Sequence, residues 1–181
     1  MILSLEQRIK QYWDNQPCNI RHSDNEIGSL EFFKEVSARR FQVEPHIPEF
    51  AGFHLWQGQQ VLEIGPGIGS DAAEFARHGA DYYGIDYSKE SVDLARTRFK
   101  VEGLTGQFYC GDVSDEAMYK DLPKFDLVYS YGVIHHFPAI DSIINNVYDC
   151  LKPGGEFRFM VYARDSWKQA MINKGLDQYE A

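Results

Sequence analysis

The sequence predicts an α/β protein: a doubly wound, mostly parallel sheet with helices on both faces. Three observations carry that expectation. From Gln60 onward, strand-like apolar runs alternate with helix-like segments. One run, Val61-Leu62-Glu63-Ile64, breaks into glycines at alternate positions, Gly65, Gly67 and Gly69, before a helix-like pattern starts at Asp71. An acidic residue, Asp86, ends the next strand-like run about 20 residues beyond that turn. Strict alternation implies right-handed crossovers and a parallel sheet, with a ligand over the carboxyl ends of the strands.

Taken in order, residues 1–55 read as an N-terminal helical cap or lid and residues 56–181 as the sheet domain. Residues 2–13 form an amphipathic helix candidate ending in Tyr12-Trp13. A turn-rich stretch from Pro17 to Gly28 follows, then a second helix at about 29–41, closed by Pro45 and Pro48. The segment is too short for a core of its own and is expected to lie over the pocket mouth. Strands are expected at 60–65, 81–86, 106–110, 125–131 and 155–163, with helices at about 70–78, 88–101, 114–121 and 139–151. In the second of these helices Ser88 is a candidate N-cap. Val92, Leu94, Ala95 and Phe99 share a face, and Gly103 is a stop signal.

Composition excludes several classes. The chain has 181 residues, 44% of them hydrophobic, which suits one domain with a substantial core. No apolar stretch is long enough to span a bilayer, and the N-terminus lacks a signal-peptide layout, so a cytoplasmic location is expected. Cys18, Cys110 and Cys150 are odd in number and widely spaced, which suggests neither a disulfide framework nor zinc. A formal net charge of −9 argues against nucleic acid or anionic membrane as partner, while leaving room for a locally basic pocket around Arg39 and Arg40.

A strand, a glycine turn and a helix N-terminus together make a nucleotide-sized pocket with free backbone N–H groups. Asp86 is placed to accept ribose hydroxyls, which fits NAD as well as other nucleosides. Three details point elsewhere. The turn is Gly-x-Gly-x-Gly, with Ser70 where a dinucleotide binder has its third glycine or an alanine. Glu63 lies two residues before the first glycine, where it suits a cationic ligand group better than a pyrophosphate. No second catalytic domain follows.

With these motifs in place, the chain resembles the class I S-adenosylmethionine-dependent methyltransferases over roughly residues 56–163. The family's motifs match Val61 to Gly69, Gly84-Ile-Asp86-Tyr-Ser88, Cys110-Gly-Asp112-Val113, Phe125 to Phe137, and Leu151-Lys-Pro-Gly-Gly155, in order and at suitable spacing. The resemblance implies a Rossmann-like fold, S-adenosylmethionine as cofactor and a small-molecule methyl acceptor. It places the backbone of Gly65, Gly67 and Gly69 at the methionine part of the cofactor and Glu63 near its ammonium or in a supporting network. It implies Asp86 at the ribose, Tyr87 over the adenine, Asp112 at the adenine amino group and the Val113 N–H at a ring nitrogen. Ser130 and Tyr131 fall where a backbone carbonyl meets the cofactor's ammonium. Asp71 is read as a complement to the helix dipole.

His135 and His136 follow the fourth strand. If the acceptor is a hydroxyl, a base speeds transfer by roughly 10²–10⁴-fold, and imidazole suits neutral pH. His135 is the better match to the family's base, with His136 second. The adjacent imidazoles project differently and have no acidic neighbour at ligand spacing, so no metal site is expected. Tyr12 is expected at the pocket, with Arg21 or His22 on the cofactor's carboxylate. Relatives continue past the fifth strand to finish a seven-stranded sheet, whereas here only residues 165–181 remain, one helix at most. The fifth strand is therefore expected as an open edge through which copies could associate. A cofactor-binding protein without catalysis and an NAD-type oxidoreductase fragment remain alternative readings.

Overall fold

The structure is a computed structural model, and it describes residues 5–163 and Asp165. Among the described residues five strands form one parallel sheet: β1 (Gln60–Ile64), β2 (Asp81–Asp86), β3 (Gln107–Cys110), β4 (Phe125–Tyr131) and β5 (Leu151–Met160), in the order β3-β2-β1-β4-β5. The order reverses between β1 and β4, which opens the crevice at the carboxyl ends where a ligand is expected. Helices α1 (Leu5–Asn15), α2 (Leu30–Val43), α3 (Ile47–Ala51), α4 (Ser70–Arg77), α5 (Lys89–Glu102) and α6 (Ile140–Cys150) flank the sheet.

Alternation along β1 explains the double winding. Val61 faces a cluster with Phe53, Phe75, Val92 and Phe99, whereas Leu62 and Ile64 face Val113, Ile134, Ile143 and Val147. Each face of a buried parallel strand meets its own helical layer, so the strand reads as a near-continuous apolar run. Ser88 caps α5 as expected, its side chain accepting from the Ser91 N–H at 3.2 Å.

Three elements differ from expectation. The helix expected at 114–121 is one 3₁₀ turn, Glu116–Tyr119. Asp112 accepts from the Ser114 N–H and Asp115 from the Ala117 N–H, local bonds that compete with a continuous helix. Pro48 does not close the N-terminal region but sits in the first turn of α3, where its missing N–H costs nothing. Finally, β5 starts at Leu151, paired with Phe125, and a register shift then brings Glu156 opposite Leu127. That irregularity absorbs the Lys152 to Gly155 stretch. Among the described residues β5 has one strand neighbour, and Phe159 and Val161 are exposed. The helix expected after Asp165 lies outside the described residues.

The N-terminal third contributes to the buried core. Phe32, Phe33 and Val36 of α2 are fully buried against Ile68 of the glycine loop. Arg98 of α5 is also fully buried and ties α2 to α4 and α5. It donates to Ser70 Oγ at 3.0 Å, to the Phe33 carbonyl at 3.2 Å, to Ser37 Oγ, and to Glu102 at 3.1 Å. No helix among the described residues is long and apolar enough to cross a membrane.

Removing this guanidinium leaves buried acceptors unmatched. Arg98→Met is expected to lower the unfolding free energy by roughly 3 kcal/mol, the lower end for a broken buried pair, because Glu102 keeps its contact with Arg77. Urea denaturation measures it, and a change within error of zero would contradict the assignment.

Candidate functional site

The glycine loop is shaped by backbone that only glycine can supply. Gly65 has φ +75°, and a Cβ there would lie 2.4 Å from a methyl of Val133. Its backbone therefore presses directly against the segment that follows β4. Gly67 has φ +54°, and its N–H donates to Asp86 Oδ2 at 2.9 Å. Gly69 closes the turn and is the N-cap of α4. The other oxygen of Asp86 accepts from the Ser88 N–H at 2.9 Å. Asp86 thus fastens the loop after β1 to the end of β2. Burial pushes its carboxyl above the usual range, while the two N–H bonds pull it back.

Two further carboxylates stand in the same wall. Glu63 is buried and accepts from the Tyr82 hydroxyl at 2.7 Å. Burial, and then the nearby Asp71, push its carboxyl up to about 8. Asp71 is held by a two-pronged Arg40 pair, 2.7 Å from Nε and 2.8 Å from Nη2, and by the Tyr129 hydroxyl at 3.1 Å. Arg40 also reaches Glu44 at 3.2 Å and lies over the Tyr131 ring, its guanidinium carbon 5.2 Å from the centroid. The Tyr131 hydroxyl donates to Glu44 at 3.1 Å and meets His46 Nε2 at 2.6 Å.

Glu63, Asp71, Asp86, Arg40, Glu44 and Tyr131 border a cavity of about 920 Å³. Of the residues expected from sequence, it brings together Glu63, Gly65, Gly67, Asp86, Tyr87, Val113, Tyr131, Tyr12, Arg21 and His136. Others stand apart from its lining. Gly69 packs against Ala95. Asp112 accepts from the Ser114 N–H and hydroxyl at 2.8 and 2.7 Å. Ser130 is buried, donating to the Ile64 carbonyl at 3.2 Å. His135 lies beside the lining, its ring 4.6 Å from that of Tyr162. His136 is in the wall, in edge contact with Trp13 at 5.6 Å.

The N-terminal segment contributes residues to the cavity lining, Tyr12, Trp13 and Arg21 among them. Trp13 meets His136, and Asp14 accepts from the Lys89 N–H at 3.0 Å, so α1 bridges the cavity to α5. Sequence reasoning did not name Arg40, Glu44 or His46 as site residues. The adjacent pair Arg39-Arg40 was the available signal, but the partner that fixes Arg40 most closely, Asp71, lies on another element.

A model of the family described as "Methyltransferase domain" matches residues 62–159, more than half of the chain and nearly all of the sheet. The chain belongs to the methyltransferase-domain family. The class I resemblance read from the sequence is thereby borne out. Among curated relatives, this methyltransferase domain is 30% identical over 109 residues to a ubiquinone biosynthesis O-methyltransferase of Coxiella burnetii, covering 60% of this chain and 46% of that protein. It is 31% identical over 115 residues to phosphoethanolamine N-methyltransferase 2 of Caenorhabditis elegans, covering 62% and 26%. The chain thus spans about half the length, or less, of these relatives. Among solved structures, magnesium protoporphyrin IX methyltransferase from Synechocystis PCC 6803 with bound SAH superposes with a TM-score of 0.65. That match has 16% identity and covers 98% of this chain and 81% of the other, a likeness of fold.

Glu63 gives the methyltransferase domain a pH signature. Its folded-state pKa, about 8, lies above the ordinary 4.5, so the native state retains a proton that the unfolded chain gives up. Its contribution to stability is therefore present at low pH and lost as pH rises from 4.5 to about 8. Glu63→Gln, a neutral isostere, is expected to flatten that slope in unfolding free energies measured across the window. An unchanged slope would show that Glu63 is ionised in the folded protein.

Proposed function

We propose that the cavity binds S-adenosylmethionine and that the protein catalyses methyl transfer to a small-molecule acceptor. The observation that carries this reading is the tie between Gly67 and Asp86 in the wall of the 920 Å³ cavity. Each Asp86 oxygen accepts one backbone N–H, and a carboxylate oxygen has a second lone pair. Both ribose hydroxyls therefore have an acceptor without disturbing the loop. The size also suits the reading, since it lies at the upper end of the roughly 300–1,000 Å³ usual for small-molecule pockets. That leaves space for an acceptor beside the cofactor.

In this reading the backbone of Gly65 and Gly67 borders the methionine part, and Arg21 faces its carboxylate. Glu63 takes the ammonium; a cation at that place favours the carboxylate form, so its proton passes to solvent as the ligand binds. Tyr87 and Val113 border the adenine, Asp112 shapes the Val113 turn through Ser114, and Ser130 fixes β4 beside β1 through Ile64. Gly69 sets the start of α4. S-adenosylmethionine supplies a methyl group already activated by its sulfonium. The protein's task is then to hold an acceptor in line and shield it from water, and positioning alone supplies several kcal/mol. Trp13 and Tyr12 on α1 cover the mouth. His136 lines the cavity and is the nearer group for taking a proton from an acceptor hydroxyl, with His135 beside it.

Isothermal titration with S-adenosylhomocysteine is expected to show one site per chain. Asp86→Ala is expected to weaken it by roughly 10- to 100-fold, the loss of charged hydrogen bonds. A wild-type protein without affinity for this ligand would overturn the cofactor assignment. His136→Ala is expected to lower turnover on a hydroxyl acceptor by roughly 10²-fold or more with cofactor affinity kept. Equal losses in both would make His136 a structural residue.

A further inference from the structure

The cavity carries two features that cofactor binding leaves unused, and they meet at the end of β4. The first is positive charge. Arg21, His22, Arg39 and Arg40 all line the cavity of a chain whose net charge is −9. Arg40 is compensated by Asp71 and Glu44. Arg39 and Arg21 have no carboxylate partner among the described residues. If Arg21 serves the cofactor's single carboxylate, Arg39 is a cation left over. Next to it, Nδ1 of His22 is buried and has no hydrogen-bond partner among the described residues. Burial of a polar atom without a partner is costly, which marks the place where a ligand atom belongs. Burial first, and then Arg39 and Arg40, hold the His22 imidazole below its usual pKa, an independent sign that the surroundings are electropositive.

The second feature is an aromatic wall. Trp13 and His136 touch edge to face at 5.6 Å, and His136 and Tyr162 stand nearly perpendicular at 6.4 Å. The two features belong to one cavity, whose lining also includes Tyr131 and Gly132 at the end of β4. All three rings line the cavity, so they offer apolar surface to the body of a ligand.

We propose that the acceptor is an anionic small molecule, a carboxylate or phosphate monoester with an apolar or aromatic body. Arg39 and His22 Nδ1–H hold the anion, and the body lies along Trp13, His136 and Tyr162. The assignment rests on the methyl-transfer reading and names the acceptor class for that site. A neutral imidazole donates one hydrogen bond and a guanidinium donates several, a pair suited to an oxyanion. A cationic acceptor would meet repulsion from Arg39, and a neutral one would leave its charge unmatched.

Four probes with the same ring test this on the whole protein saturated with S-adenosylhomocysteine: benzoate, phenyl phosphate, benzamide and benzylamine, titrated by ligand-observed NMR. At least one anion is expected to bind about tenfold or more tightly than benzamide, with benzylamine weakest, and comparing the two anions assigns carboxylate or phosphate. Arg39→Gln is expected to abolish that preference while S-adenosylhomocysteine affinity stays within about twofold, because Arg39 is exposed and the bonds that hold Asp86 come from Gly67 and Ser88. Equal binding of benzamide, or no binding of either anion, would overturn the proposal. So would Arg39→Gln weakening S-adenosylhomocysteine as much as the anion, since the cluster would then serve the cofactor. Failure of the wild type to bind S-adenosylhomocysteine at all is a separate result, and it removes the methyl-transfer reading itself.

Discussion

A buried ion pair holds the two parts of this molecule in register. Asp71 stands in the first turn of α4, nearly inaccessible to water, and Arg40 of α2 meets it through two N–H···O bonds. An isolated carboxylate there would pay a desolvation penalty of several kcal/mol, so the guanidinium is what makes the position tenable. Once Arg40 is anchored, much else is placed. α2 is drawn against the glycine loop, which buries Phe32, Phe33 and Val36 on Ile68. Glu44 at the end of α2 comes within reach of Tyr131, and α3 can begin beside His46. The same pair sets the local potential, for Asp71 raises the proton affinity of Glu63 and Arg40 lowers it.

Much of the sheet was legible because each buried strand is a short apolar run between turn residues, and the glycine pattern marks where β1 must end. The glycine-loop wall of the cavity was legible for the same reason. Gly65 and Gly67 occupy backbone conformations that other residues rarely adopt, and Asp86 ends a strand beside them. What sequence could not reveal depends on partners far apart in the chain. Arg40 reaches Asp71 across 31 positions, and Tyr129 reaches the same carboxylate across 58. No local pattern encodes such a meeting. The expected helix at 114–121 failed for a local reason, since two aspartates captured backbone N–H groups that a helix would have used. Asp112, expected at the adenine amino group, uses one carboxylate oxygen, Oδ1, for these local bonds.

The distribution of charge inside the cavity is as informative as its total. Acidic groups predominate in the chain, yet those nearest the glycine loop are balanced, Asp71 by Arg40 and Glu63 by its retained proton. Asp86 is stabilised by backbone N–H groups instead of a side-chain cation. The positive groups of the N-terminal segment are consequently not all consumed within the protein. A chain that is acidic overall can in this way present a mouth that attracts anions, because fields near a concave surface are set by neighbouring groups more than by net charge.

The contact between Val133 and Gly65 has a thermodynamic consequence. The loop after β1 and the turn bearing the histidines are not independent walls, for one branched side chain fills the space that a glycine leaves empty. A ligand that stiffens either loop therefore removes freedom from the other. Neither loop can be displaced alone without opening a gap or a clash at that contact.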